Sequence, residues 1–208
     1  MKNTLKLLSL IVLIFLAGCQ KKGCTDATST NYNSKATKDD GSCQYDKYDS
    51  EPNALQIGAT HAGGIIFYLD ETGQHGLVSA PTDQSKGVEW GCYETELSGA
   101  DGTAVGTGAQ NTIDIINGCN ESGTAASICA NLTLGGYSDW FLPSKDELNL
   151  MYKNIGQGDA LGLGNVGGFA LSFYWSSSEY SANGAWFQYF SNGIQNVNGK
   201  VVNYYVRS

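Results

Sequence analysis

The chain has 208 residues, with 12 basic and 20 acidic side chains for a formal net charge of −8, and it is 41% hydrophobic and 11% aromatic. That balance excludes a nucleic-acid binder held by bulk electrostatics and excludes a disordered acidic tail. Twenty-seven glycines against three prolines point instead to a folded domain of strands joined by tight turns and open loops.

Lys2 and Lys6 precede an apolar run from Leu7 to Ala17, interrupted only by Ser9 and ending at Leu16-Ala17-Gly18-Cys19. A basic start, a short apolar stretch and small residues at its end make a secretory signal, too short to remain as a spanning helix. The tetrapeptide Leu-Ala-Gly-Cys resembles a bacterial lipobox. That implies a signal peptide over 1–18, an acylated Cys19 as the mature N-terminus, and a lipid bilayer as partner. The expected place is the bacterial cell envelope, at the outer membrane. Loss of Lys2 and Lys6 leaves 10 basic against 20 acidic residues, a net −10. Residues 19–23 form the lipidated tether.

An exported chain reads its cysteines as disulfides. With Cys19 given to lipid, Cys24, Cys43, Cys92, Cys119 and Cys129 remain, so one thiol stays unpaired. Residues 24–45 are polar and bracketed by Cys24 and Cys43. So small a segment cannot bury a sufficient core, and a staple worth about 3 kcal/mol is expected. Its pattern CTD…NY…A…DDGSC resembles a cysteine-bracketed module of exported Bacteroidetes proteins. Asp26, Asp39 and Asp40, with Asn31 and Asn33, are oxygen donors suited to calcium. The spacing fits no EF-hand loop, which favours Asx turns around Gly41, and no cofactor is expected. Residues 46–56, with Glu51-Pro52, read as a linker.

From Ile57 to Ser208 the pattern is that of one α+β domain. Gly63 to Leu69 reads as a buried strand, Asp70 to Gln74 as a turn, and His75 to Ala80 as its hairpin partner. Asn111 to Asn117 reads as a helix with Ile113, Ile116 and Ile115 inward. Thr124 to Leu132 reads as a second helix, with Ile128, Cys129 and Leu132 on one face. Ser144-Lys-Asp-Glu147 is a capping box after Pro143, and Leu148, Met151, Tyr152 and Ile155 supply the stripe of a third helix. Gly156 to Gly168 is a glycine-rich loop. Strand-like runs follow at 173–180, 185–191 and 201–206, with Asn-Gly turns at Asn192-Gly193 and Asn198-Gly199.

Four blocks carry a family resemblance: GGIIFYLDETGQHGLVSAP, the WGC of Trp90 to Cys92, GGYSDWFLPSKDELNLMY from Gly135, and YWSSSEYSANGAWFQYFSNG from Tyr174. Residues 57–208 resemble the C-terminal domain of the Legionella collagen-like adhesin. The resemblance implies a C-type-lectin-like fold in which first and last strands pair. It also implies a surface binding role, with sulfated glycosaminoglycans as ligands of the founding adhesin. Two features depart from that pattern. Residues 57–208 hold five basic residues against fourteen acidic ones, a field that repels a sulfated polymer. The closing strand, ending at Val206-Arg207-Ser208, is also short.

Calcium-dependent sugar binding is not expected, because Glu51-Pro52-Asn53 lies in the linker and no Trp-Asn-Asp follows. No HExxH, P-loop or GxSxG occurs, and His61 and His75 merely flank the hairpin. Cys92 is expected to pair with Cys119, leaving Cys129 reduced on an apolar helix face; Cys119 with Cys129 is the rival pairing. Trp175, Ser177, Glu179, Tyr180, Trp186 and Tyr189 are the candidate ligand-binding set, an aromatic surface rimmed by hydroxyls. Strand alternation sends Tyr174, Ser176 and Ser178 to one face and Trp175, Ser177 and Glu179 to the other. The expected function is non-catalytic binding of a glycan or protein ligand by an envelope lipoprotein. The alternatives are an envelope oxidase of the C-type-lectin-like kind and a purely structural lipoprotein.

Overall fold

The computed structural model of the chain describes residues 20–27, 29–44 and 55–208. The signal peptide, the lipid site at Cys19, the Glu51-Pro52-Asn53 triplet and most of the linker lie outside the described residues. The chain divides into two compact units at Pro52–Asn53.

The first unit has no described helix or strand and is held by the Cys24–Cys43 disulfide. Thr30 N donates to Gln44 O (2.8 Å) and Asn33 N to Cys24 O (2.9 Å), so the staple is reinforced by backbone bonds. Asp39 and Asp40 accept from the backbone of Gly41 and Ser42 at 3.1 and 3.0 Å, two successive Asx turns. Asp26 is not drawn into a ligand group with them.

The second unit opens with an antiparallel sheet of β1 (Thr60–His61), β2 (Gly64–Leu69) and β3 (Gly76–Ser79), in that order. Then come β4 (Ser85–Val88), α1 (Gly108–Gly118), α2 (Ala125–Ala130) and α3 (Lys145–Ile155). The chain closes with β5 (Phe173–Ser181), β6 (Gly184–Tyr189), β7 (Gln195–Gly199) and β8 (Tyr204–Val206). The second sheet runs β4-β8-β5-β6-β7, antiparallel except where β8 lies parallel to β5. The result is α+β, as the sequence pattern indicates. The last strand pairs with β4 and β5 rather than with the first strand. The residues after β8 reach back to the end of the hairpin, where Ala80 N donates to Ser208 O at 2.7 Å and Ala80 O accepts from Arg207 Nη1 at 2.9 Å.

Both faces of the second sheet are buried. Trp175 joins Trp90, Leu97, Ile115, Leu142 and Phe187 in one core cluster, which also takes in Ala125, Ala126 and Cys129 of α2. Its neighbour Tyr174 joins Phe67, Leu148, Met151, Ile155 and Phe190 in the other, around α3. Residues 174–179 are therefore buried without alternation, the signature of a strand covered on two sides.

α1 corrects the expected inward set. Ile113 is 51% exposed and Ile116 41%, while Ile115 is 1%. The helix begins three residues earlier than the apolar pattern suggests. Its buried stripe is Gly108, Asn111, Thr112 and Ile115, the spacing of one helical face. Two polar residues occupy it because each is hydrogen-bonded: Asn111 Nδ2 donates to Gly102 O (2.6 Å), and Thr112 Oγ1 accepts from Leu142 N (3.1 Å). β4 and β7 lack any apolar strand pattern and were not anticipated. Asn198-Gly199 ends β7 instead of turning, since Asn198 Nδ2 is engaged by Tyr204 Oη at 2.6 Å. Asn192-Gly193 is a turn as expected, with Gly193 at φ +77°.

Glu147 locks two helix starts together. Its side chain completes the α3 capping box by accepting from Ser144 N (2.7 Å), and its other oxygen accepts from Gly106 N (2.7 Å) beside α1. Gly108 is required there, because a Cβ would stand 2.2 Å from Glu147 Oε2. The end of the chain is locked similarly. Buried Arg207 donates to Asp83 Oδ1 (2.7 and 2.9 Å), Ala80 O (2.9 Å) and Gly167 O (2.8 Å). Tyr174 Oη donates to the same Asp83 oxygen (3.0 Å). Burial, and then the charge of Asp83, push the Tyr174 hydroxyl well above its ordinary value, so it remains a donor.

Candidate functional site

The predicted aromatic set does not form one surface. Trp175 is fully buried, its indole donating to Val88 O at 3.0 Å. Ser177 is buried too, accepting from Asn111 Nδ2 at 3.1 Å. Glu179 is buried against Lys200, and its carboxylate accepts from Leu97 N. Lys200 Nζ also donates to Thr95 O (2.7 Å) and lies 4.7 Å from the Trp90 ring centre. These three side chains build the core and are not available to a ligand. Of the rest, Tyr180 is 64% exposed and meets Trp186 edge-on at 5.8 Å, with Lys145 Nζ 4.4 Å over the indole. Tyr189 stacks on Phe173 at 4.3 Å. Three positions from Trp186 along the same strand, it belongs to the opposite face of the sheet.

The structure gathers a different group of residues. A cleft of about 310 Å³ lies between the β2–β3 hairpin, the segment 137–143 and α3. Phe67, Leu77, Val78, Trp140, Phe141 and Met151 line it, with His61, Tyr137 and Asp139 supplying polar groups. Its wall is set by glycines. Leu134 and Tyr137 exchange backbone hydrogen bonds at 3.0 and 3.1 Å around Gly135-Gly136, both at positive φ, a two-residue hairpin turn. Gly63 (φ +82°) and Gly135 (φ +65°) touch so closely that a Cβ on either would stand 2.7 Å from the other's Cα. The turn thus holds Tyr137, 49% exposed, at the mouth. Trp140 sits below, its indole donating to Leu134 O at 3.3 Å. A Cβ on Gly64 would meet that ring at 3.0 Å. Pro143 and the capped α3 then place Met151 in the lining.

Such a site grips by shape and stacking: an apolar interior, one aromatic rim residue, one imidazole and one carboxylate. The sulfur chemistry lies elsewhere. Cys92 and Cys119 are joined, as expected, and Cys129 is free and buried. Burial pushes the Cys129 thiol up to about 12. Among the described residues, the one group of three metal-type side chains is Cys92, Cys119 and Glu121, whose sulfurs are spent in the disulfide.

Sequence reasoning placed His61 beside the hairpin but did not see the cleft. Its lining comes from three separate stretches. The only local signal was the pair of Gly-Gly steps, Gly63-Gly64 and Gly135-Gly136, each opening an apolar or aromatic run.

A family model described as the Lcl C-terminal domain matches residues 79–208. No curated protein matches the chain.

Proposed function

The chain belongs to the Lcl C-terminal domain family, and from that membership we propose that its second unit is a non-catalytic, adhesin-type binding domain. Residues 24–45 serve as a stapled spacer, and an acylated Cys19 fastens the whole to the outer membrane. The ligand, a glycan or a protein, enters the cleft between the hairpin and the 137–143 segment. The single observation carrying this reading is that open, aromatic-lined cleft on a rigid glycine-set frame. Sites of this kind hold a ligand by apolar contact and fix it with few polar groups.

The buried thiol weighs against the oxidase alternative. A nucleophilic cysteine needs thiolate and access, and Cys129 has neither. The sulfated polymers expected from the family resemblance fit poorly. Lys200 and Arg207 are buried and bonded internally, which leaves Lys86, Lys145 and Lys153 as the only basic residues of the domain facing outward. An uncharged or basic ligand suits such a surface.

The test is an array of glycans and of extracellular and envelope proteins, probed with the mature chain and with Tyr137→Ala. Saturable capture that falls at least tenfold in the variant is expected. Capture unchanged by the substitution, or turnover of a substrate by the purified chain, overturns the reading.

A further inference from the structure

The loop between α3 and β5 carries a run of aliphatic side chains that the core does not use. Leu161, Leu163, Val166 and Leu171 are 38–67% exposed. The loop itself is firmly built. Ala160 N donates to Lys153 O (2.8 Å), Gly162 N to Asp159 O (3.1 Å) and Gly167 N to Ile155 O (2.7 Å). Asp159 Oδ1 accepts from Gly164 N at 2.6 Å. Asn165 Nδ2 donates to Phe169 O at 2.9 Å, and its Oδ1 accepts from Phe169 N at 3.0 Å. Gly162 and Gly164 take the left-handed backbone on either side of Leu163. This frame buries Phe169 and holds its leucines outward.

The same loop stands apart in charge. Residues 156–172 carry one charged side chain, Asp159, of the five basic and fourteen acidic ones in the domain. It also lies against the place where the chain enters the domain. A Cβ on Gly58 would stand 2.9 Å from Leu163 Cδ1 and 3.8 Å from Val166 Cγ2. Gly58 N is fixed to the hairpin by its donation to Ile66 O at 2.8 Å. The linker of residues 46–56 arrives at that point.

We infer that this loop is a seat on the lipid bilayer, with Leu161, Leu163 and Val166 entering the boundary between headgroups and acyl chains beside the arriving tether. The seat presupposes the acylated Cys19 proposed above and adds a second contact with the same membrane. Apolar side chains gain free energy at that boundary in proportion to the area they bury. A segment placed there must satisfy its own backbone polar groups and bring few charges, since water is scarce. The internal hydrogen bonds of the loop and its single carboxylate meet both conditions. Three observations favour a bilayer over a protein partner. The exposed side chains are aliphatic, whereas protein interfaces are anchored mostly by Trp, Tyr and Arg. The loop is the part of an acidic domain that an anionic leaflet repels least. The tether ends beside it, so that even a weak contact becomes an intramolecular one.

For the test, the full chain is produced in a bacterial host with methyl labels on Leu, Val and Ile, and its acylation is read by mass. It is then placed in phosphatidylcholine nanodiscs that hold a gadolinium-chelate lipid. Methyl signals of Leu161, Leu163 and Val166 should be attenuated at least threefold more than those of Ile113, Ile116 and Ile194, which are as exposed elsewhere on the domain. Leu161→Ser with Leu163→Ser lies outside both core clusters. The double variant should keep its melting point and return Val166 to the level of Ile113. Equal attenuation of loop and control methyls in the acylated chain overturns the inference and leaves the anchored binding domain standing. Unchanged attenuation of Val166 in the folded double variant overturns it as well, as do loop methyls that stay sharp in lipid and broaden only with an added envelope protein. A chain recovered without fatty acid removes anchor and seat together, while loss of capture in Tyr137→Ala still reads the cleft.

Discussion

Lys200 shows how a single residue can read as surface and act as core. In sequence it follows an Asn-Gly step, the usual setting of a solvated lysine in a turn. In the structure it is fully buried between Glu179, Thr95 and Trp90. Removing one partner of such a pair leaves the other charge stranded at a cost of about 3–5 kcal/mol. Lys200→Met is expected to lose that much in urea unfolding, with Glu179 left facing Leu97 N alone. Cys129 makes a second prediction. Its thiol, pushed up to about 12 by burial, holds its proton in the folded chain at pH values where an unfolded cysteine ionises, above about 8.5. As pH rises through that value the unfolded state sheds a proton that the folded state keeps, so this group's contribution to stability falls. A colorimetric thiol reagent at pH 8 should find Cys129 silent until denaturant is added; brisk native reaction contradicts the burial.

At the scale of elements, legibility followed how local each cause was. The α3 capping box is spelled by four adjacent residues and was legible at once, as was the β2–β3 hairpin around Asp70 to Gln74. The face of α1 was not, because Asn111 and Thr112 are core residues only by virtue of partners at Gly102 and Leu142. The aromatic set on β5 and β6 failed for a related reason. Alternation says which residues share a face, but nothing in it says that both faces are covered. The cleft is less local still, since one wall depends on Gly63 meeting Gly135 across 72 residues. Gly135→Ala forces a side chain into a positive-φ position and against Gly63, and αL strain alone costs about 1–3 kcal/mol. The variant is expected to melt earlier and to lose ligand capture, because the turn presenting Tyr137 must shift. Gly136→Ala shares the positive φ but has nothing within 4 Å of its Cβ. It should therefore lose stability with a smaller loss of capture. Equal loss of capture in both variants argues against a role for the glycine contact in shaping the site.

Over the whole molecule, charge governs which partners can approach. Composition already gave an acidic chain, and the structure sharpens this by burying two of the domain's five basic residues. No retention on immobilised heparin is expected at physiological salt; retention that falls with rising salt shows a basic patch the fold does not display. The two disulfides and the family assignment were legible because cysteine spacing and motif order survive without geometry. The cleft proposed as the ligand site was not, because it exists only once hairpin, turn and helix are assembled. Residue-resolved chemical-shift mapping of the mature chain, titrated with whatever it captures, tests that site most directly. Shifts concentrated at Gly76 to Val78 and at Tyr137 to Phe141 are expected. Shifts confined to Tyr180, Trp186 and their neighbours, with the hairpin unmoved, would contradict a cleft-borne function.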